Sequence, residues 1–310
     1  MNVVVVGLGR AAWLYATQGH SKYITHTYSI LNNPNFNLVA GIDTNKSVRD
    51  KWTNSIGINS YAFIEDLPSN IRVDLIIICT SKENLLKVLL LTLKSYPGVK
   101  ILVEKPLVTT LEDIVKIEQI ESSDIDRIAV NFPRLFLPEN NVIKSLLARD
   151  LADSELEITG NYSKGFLNTA THLIMLINNW FPGIEFKVSE YSETFNSDLG
   201  LSFNLMSETT TLSSTSRIAY NSVRSYSTFD LNINSSTSWL KYINGGETIS
   251  FQNSLYNSHF SIRSSRKDYQ KYIYEKIGNE EWDFIVSLSG LGTFIPIIKK
   301  IITQNVRLEK

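Results

Sequence analysis

Four consecutive valines run straight into a glycine-rich turn: Val3-Val4-Val5-Val6-Gly7-Leu8-Gly9-Arg10-Ala11-Ala12. β-branched residues favour an extended strand, and the glycine spacing after Val6 is that of a strand that turns at once into a helix. In such a turn Gly7 permits the tight bend and Gly9 lets the backbone approach a pyrophosphate. Ala12 is small enough for the helix to pack closely on the strand. The opening of the helix supplies N–H donors and the positive end of its dipole. Gly7, Leu8, Gly9, Arg10 and Ala11 are therefore the candidate phosphate-binding segment of a dinucleotide site.

The next apolar run, Leu38-Val39-Ala40-Gly41-Ile42, ends in Asp43. A carboxylate there accepts hydrogen bonds from adenosine ribose hydroxyls and repels a 2′-phosphate, and the adjoining Thr44-Asn45 offers no arginine to receive one. NAD is expected as the cofactor, with NADP disfavoured.

Further short apolar runs at Leu75–Cys79, Ile101–Val103 and Ile128–Asn131 alternate with helical stretches at Glu83–Ser95 and Thr110–Ile120. This βαβ alternation predicts a doubly wound parallel sheet of Rossmann type over residues 1–133. Pro133 and Pro138 mark its end.

Residues 134–310 read differently. Ser202–Met206, Thr228–Ile233 and Trp239–Ile243 alternate with period two, and Asn244-Gly245-Gly246-Glu247 is a hairpin turn. They predict an α+β domain with a largely antiparallel, open-faced sheet, serving substrate binding and oligomerisation. The Ser-rich Thr209–Ser227 reads as strands and loops. Apolar residues at helical spacing over Trp282–Ile302 predict one closing helix that packs back, with the first domain as one place for it.

Thirty basic against thirty-one acidic residues give a net charge of -1 with no basic stripe, which argues against nucleic-acid and anionic-membrane partners. No apolar run reaches the ~18 residues a membrane span needs. The single Cys79 lies in an apolar strand and forms no internal disulfide, which fits a reducing cytoplasm. The histidines have no metal-ligand spacing, so no metal is expected.

Glu104-Lys105-Pro106 comes directly after the strand Ile101-Leu102-Val103. A lysine at the C-terminal end of a parallel strand faces the crevice where α/β sheets bind ligands, and can hydrogen-bond a substrate oxygen. With the glycine turn, Asp43, the Cys79-Thr80-Ser81 loop, Asn131 and a later His172, this order of features resembles the Gfo/Idh/MocA oxidoreductases. Val130–Arg134 and Tyr162–Gly165 are similar to members found among polysaccharide-assembly enzymes, which often act on nucleotide-linked sugars.

The resemblance implies a cis peptide before Pro106, with Thr80, Ser81 and Glu104 joining the cofactor site. It implies catalytic roles for Lys105 and His172, whose imidazole would take the hydroxyl proton. Arg134, Tyr162, Lys164 and Asn168 become candidates for binding the sugar or its phosphates, in a homodimer or homotetramer. Two positions depart from the pattern around the histidine: Asn168 and Met175 stand where many relatives carry aspartates. Leu85 stands where a histidine is common. An NAD-dependent oxidoreductase interconverting a sugar hydroxyl and ketone is the leading expectation. A non-catalytic NAD(H)-binding sensor on the same fold is the alternative.

Overall fold

In the computed structural model the described residues are 1–308 apart from 18–20, 151–154, 194–197, 224–227 and 264. The chain divides into two units, Met1–Pro133 with Lys267–Pro296, and Arg134–Arg266 with Ile297–Lys310. The first unit thus takes a late segment that lies wholly within the second domain expected from sequence.

The first unit is built on six parallel strands: β1 (Asn2–Val6), β2 (Asn37–Ile42), β3 (Ser60–Tyr61), β4 (Leu75–Ile78), β5 (Lys100–Val103) and β6 (Ile128–Val130). Their order is β3-β2-β1-β4-β5-β6, with chain reversal between β1 and β4. Ligands bind α/β sheets at this reversal, beyond the C-terminal strand ends. Val3 to Val5, Leu75 to Ile78 and Ile101 to Val103 are all fully buried. Burial on both faces explains why these strands read as continuous apolar runs. Each such side chain contributes about 2 kcal/mol of apolar burial.

The predicted helices form over Lys82–Ser95 and Leu111–Glu118. The first turns Leu85, Leu86, Leu89 and Leu93 inward. Arg127 closes the end of this helix, donating to the carbonyls of Leu93, Tyr96 and Val99, and its Nε donates to Asp124. Thr110 caps the second helix, accepting from Asp113 N, while the Asp113 carboxylate reaches back to Thr110 N.

One expectation is corrected. The closing segment is two helices, Trp282–Ser289 and Leu291–Leu308, separated at Gly290. Glycine costs a helix about 1 kcal/mol, and here its extended backbone bridges Ala129 instead.

The second unit carries eight strands: β7 (Glu157–Tyr162), β8 (Glu185–Glu193), β9 (Leu199–Met206), β10 (Arg217–Tyr220), β11 (Phe229–Asn234), β12 (Ser238–Ile243), β13 (Thr248–Asn253) and β14 (Ser258–Arg263). They lie in the order β14-β13-β12-β11-β7-β10-β9-β8, antiparallel except for the β7–β10 pair. Phe229, Leu231 and Ile233 point into the core and Asp230, Asn232 and Asn234 away, the period-two pattern of a sheet with one covered face. On the other face Lys241 sits over the Trp239 ring at 4.9 Å. The helix Thr171–Trp180 is buried nearly all round. The predicted Asn244–Glu247 turn joins β12 to β13, and the Ser-rich segment supplies β10.

Candidate functional site

The glycine turn forms as its spacing predicts. Gly7 has φ +89°, and its N–H donates to Ile42 O at 2.8 Å. A Cβ at Gly7 would lie 2.6 Å from Thr80 N and 2.7 Å from Cys79 O, so only glycine lets β1 and the β4 end come this close. The Cys79 thiol donates to Gly7 O at 3.0 Å. A Cβ at Gly9 would meet nothing within 4 Å, which leaves room beside the first-turn amides for a pyrophosphate. The helix begins with a wide turn, Leu14 N and Trp13 N both donating to Gly9 O. Leu8 is fully buried, with its N–H on Asp43 and its carbonyl on Trp13 Nε1, so it shapes the turn.

Beside the turn lies a cavity of about 860 Å³, lined among others by Gly7, Asp43, Phe63, Thr80, Ser81 and Leu91. That size suits a cofactor. The Asp43 carboxylate accepts from Leu8 N at 2.9 Å and Asn45 N at 2.8 Å, and each oxygen keeps lone pairs that ribose hydroxyls can use. Phe63, 57% exposed, offers a flat apolar face at the same wall. Although no arginine directly adjoins Asp43 in sequence, the fold brings one there: Arg49, in the helix Lys46–Ile56, donates through Nη1 to the carbonyls of Asp43 and Thr44. Leu85 is buried within its helix and is not among the cavity's lining residues.

The Lys105–Pro106 peptide is cis, as the resemblance implied. Glu104, expected among the cofactor contacts, turns its Oε1 to His26 Nε2 at 3.0 Å and Asn131 Nδ2 at 2.5 Å. An internal donor pair holds that oxygen. His26 Nδ1 meets Tyr274 OH at 2.8 Å, and Asn131 Nδ2 also donates to Gln270 Oε1 at 3.2 Å. Burial pushes the Glu104 carboxyl upward, but the His26 hydrogen bond and charge, the Asn131 hydrogen bond and the Lys105 charge outweigh it and hold it below the ordinary range. Burial drives the Cys79 thiol and the Tyr274 phenol well up, so both are neutral.

In the second unit His172 is buried near the start of the helix Thr171–Trp180. A wide turn, Phe166–Ala170, leads into it and carries the exposed Asn168. Asp198 accepts from Leu167 N, Asn168 N and its neighbour Leu199 N at 2.7 to 2.9 Å. Lys164 is exposed and holds φ 65°. Arg134 rests on the Phe229 ring at 5.5 Å, with Nε 3.4 Å from Gly245 O. Tyr162 is a correction: it is fully buried, and its hydroxyl accepts from Leu201 N and donates to Leu201 O. It pins β7 to β9 and presents no surface to a substrate.

The fold therefore gathers Gly7, Asp43, Thr80 and Ser81 around one cavity and sets Lys164 and Asn168 on either side of Gly165. Sequence reading missed Phe63, Arg49, His26, Tyr274, Gln270 and Asp198. His26, Tyr274, Gln270 and Asp198 have partners far along the chain, and Arg49 lies one helical turn beyond Thr44-Asn45. Among the described residues no cluster of His, Cys, Asp and Glu is able to hold a metal ion, and no helix is long and apolar enough to cross a membrane.

Residues 1–132 match the model of an oxidoreductase family with an NAD-binding Rossmann fold, GFO_IDH_MocA. No curated protein matches the sequence. Solved structures share the fold along the chain. A dehydrogenase from Chromobacterium violaceum is 18% identical, with 100% of this chain and 98% of that one covered and a TM-score of 0.70. A dehydrogenase (MviM) from Clostridium difficile is 16% identical, with 99% of each covered and a TM-score of 0.70. KijD10, a 3-ketoreductase from Actinomadura kijaniata solved with TDP-benzene and NADP, is 15% identical, with 92% and 93% covered and a TM-score of 0.69. With its glycine turn, Asp43 and the Glu104-Lys105-Pro106 element, the segment 1–132 is similar to the Gfo/Idh/MocA oxidoreductases.

Proposed function

We propose that the protein is an NAD-dependent oxidoreductase that interconverts a hydroxyl and a ketone on a sugar, with a nucleotide-linked sugar as the favoured substrate class. The observation that carries this reading is the cavity beside an open glycine turn, with Asp43 on its wall and the Glu104-Lys105-Pro106 element at the end of β5. The similar 3-ketoreductase, solved with a thymidine-diphosphate compound, supports the substrate class.

The amides after Gly9 would hold the pyrophosphate, Asp43 the adenosine ribose, and Thr80 and Ser81 the neighbouring wall. Bound there, the nicotinamide supplies the hydride acceptor or donor. The half-buried Lys105 donates a hydrogen bond to the substrate oxygen and stabilises negative charge that develops on it. His172 takes the hydroxyl proton in oxidation and returns it in reduction. Arg134, Lys164 and Asn168 are the proposed substrate contacts, and Tyr162 is no longer among them.

NAD is favoured over NADP because the Asp43 carboxylate opposes a 2′-phosphate, and Arg49 already spends Nη1 on two carbonyls. NADH is expected to bind at least about tenfold more tightly than NADPH, about 1.4 kcal/mol, by fluorescence titration. Tighter NADPH binding overturns the preference.

The reaction is tested by monitoring NADH absorbance with a panel of nucleotide sugars and their keto forms. Lys105→Ala and His172→Asn are each expected to lower kcat by about 10²–10⁴-fold while NADH affinity stays near wild type. Tight NADH binding without turnover of any sugar would refute the oxidoreductase reading.

A further inference from the structure

At Glu104, the residue before Lys105, a polar cluster draws on four parts of the first unit. Glu104 comes from the end of β5, Asn131 from the end of β6, His26 from the first residue of the helix His26–Leu31, and Gln270 and Tyr274 from the helix Tyr269–Gly278. Asn131, His26, Gln270 and Tyr274 are at most 2% exposed. The backbone at both strand ends is fixed as well, with Glu104 N on Ile78 O and Asn131 N on Val103 O, each at 2.7 Å.

The bonding pattern assigns the protons. Tyr274 is buried, and its hydroxyl finds His26 Nδ1 at 2.8 Å. If Nδ1 accepts from Tyr274, the proton of the neutral ring sits on Nε2, aimed at Glu104 Oε1 at 3.0 Å. Tyr274 thus selects the tautomer that donates to the carboxylate, and a protonated ring would still donate from Nε2.

Such a cluster is poorly explained by stability alone. Burying a carboxylate costs several kcal/mol, and apolar residues of similar shape often serve a core as well or better. Four titratable groups face Glu104: His26, Tyr274, Cys79 and Lys105. Cys79 and Tyr274 are neutral, so Glu104 is kept ionised by the His26 hydrogen bond and charge, the Asn131 hydrogen bond and the Lys105 charge. The attraction between Glu104 and Lys105 is mutual, and an anion fixed at the neighbouring residue favours the ammonium form of Lys105.

We propose that His26, oriented by Tyr274, is a positioning residue that acts through Glu104 to keep Lys105 a charged and correctly placed hydrogen-bond donor. This rests on the role given to Lys105 above. His26 does not touch substrate; it fixes the anion that Lys105 works against.

The test measures Lys105 directly. Modification of Lys105 by an amine-selective reagent is tracked against pH by peptide mass mapping in wild type, Glu104→Gln, His26→Gln and Tyr274→Phe. Circular dichroism and NADH binding establish that each variant is folded. Loss of the anion in Glu104→Gln is expected to move the modification midpoint down by at least about one pH unit. His26→Gln is expected to move it in the same direction by less, and Tyr274→Phe by least. With an accepted sugar, His26→Gln is expected to lower kcat by about 10²-fold, leave the KM for NADH unchanged and shift the alkaline limb of the kcat profile to lower pH.

Folded variants with the wild-type midpoint overturn the proposal, whatever the turnover. If His26→Gln does not fold, Tyr274→Phe decides, because it keeps the imidazole and removes only the hydroxyl that orients it. Should wild type turn over no sugar, the oxidoreductase reading fails, while the Lys105 midpoints still decide the role of His26.

Discussion

The two units each contain a glycine near φ +90° that leads into a wide helical turn, yet the two turns are built for opposite ends. Gly7 has φ +89° and Gly165 φ +91°. Gly9 O receives Trp13 N and Leu14 N; Gly165 O receives Thr169 N and Ala170 N. Each turn also has an aspartate from the start or end of a nearby strand. Asp43 binds Leu8 N, ahead of the helix, so the first-turn amides stay open to a ligand. Asp198 binds Leu167 N and Asn168 N, so a carboxylate of the chain itself occupies the anion position. A glycine turn is a phosphate cradle only when no internal carboxylate fills it.

This contrast orders the expected effects. Gly7→Ala should be the most damaging, about 3 kcal/mol or more, because a Cβ at positive φ would strike the Cys79 and Thr80 backbone, which cannot move aside cheaply. Urea denaturation reads the loss, and NADH binding should disappear with it. Gly165→Ala should cost about 2 kcal/mol, since its Cβ strikes the Asp198 side chain and takes the same backbone strain. NADH affinity should hold in that variant; a loss equal to that of Gly7→Ala breaks the comparison.

Asp198→Ala should cost about 1–2 kcal/mol, the range for removing a carboxylate from the first amides of a helix. Smallest is the coupling between these two sites. The double variant Gly165→Ala, Asp198→Ala should be about 1 kcal/mol more stable than the two losses added together, because the clash partner is gone. Strict additivity in a double-mutant cycle would show that the carboxylate does not fill the turn.

How much was legible in the sequence depends on how local each feature is. β1, β4 and β5 announce themselves because both faces are buried, and the Thr110 cap because its partner is three residues away. The two-residue β3 is too short to carry a period, and the break at Gly290 depends on its bridge to Ala129, 161 residues back. In the site, Gly7 and Asp43 were readable from spacing alone. Asp198 reaches Asn168 across 30 residues, and Tyr274 reaches His26 across 248, so nothing near Asn168 or His26 signals its partner. Tyr162 was expected as a substrate contact from the resemblance of its segment, but Leu201 satisfies its hydroxyl inside the core.

Gly9→Asp gives the most direct measurement, because it imports into the first turn the carboxylate that Asp198 supplies to the second. A Cβ at Gly9 meets nothing within 4 Å and Gly9 has φ -87°, so the variant should fold with near wild-type stability. NADH affinity, read by fluorescence titration, should fall by at least about 10²-fold, roughly 2.7 kcal/mol. A folded Gly9→Asp protein that binds NADH as tightly as wild type would contradict the placement of the dinucleotide at this turn.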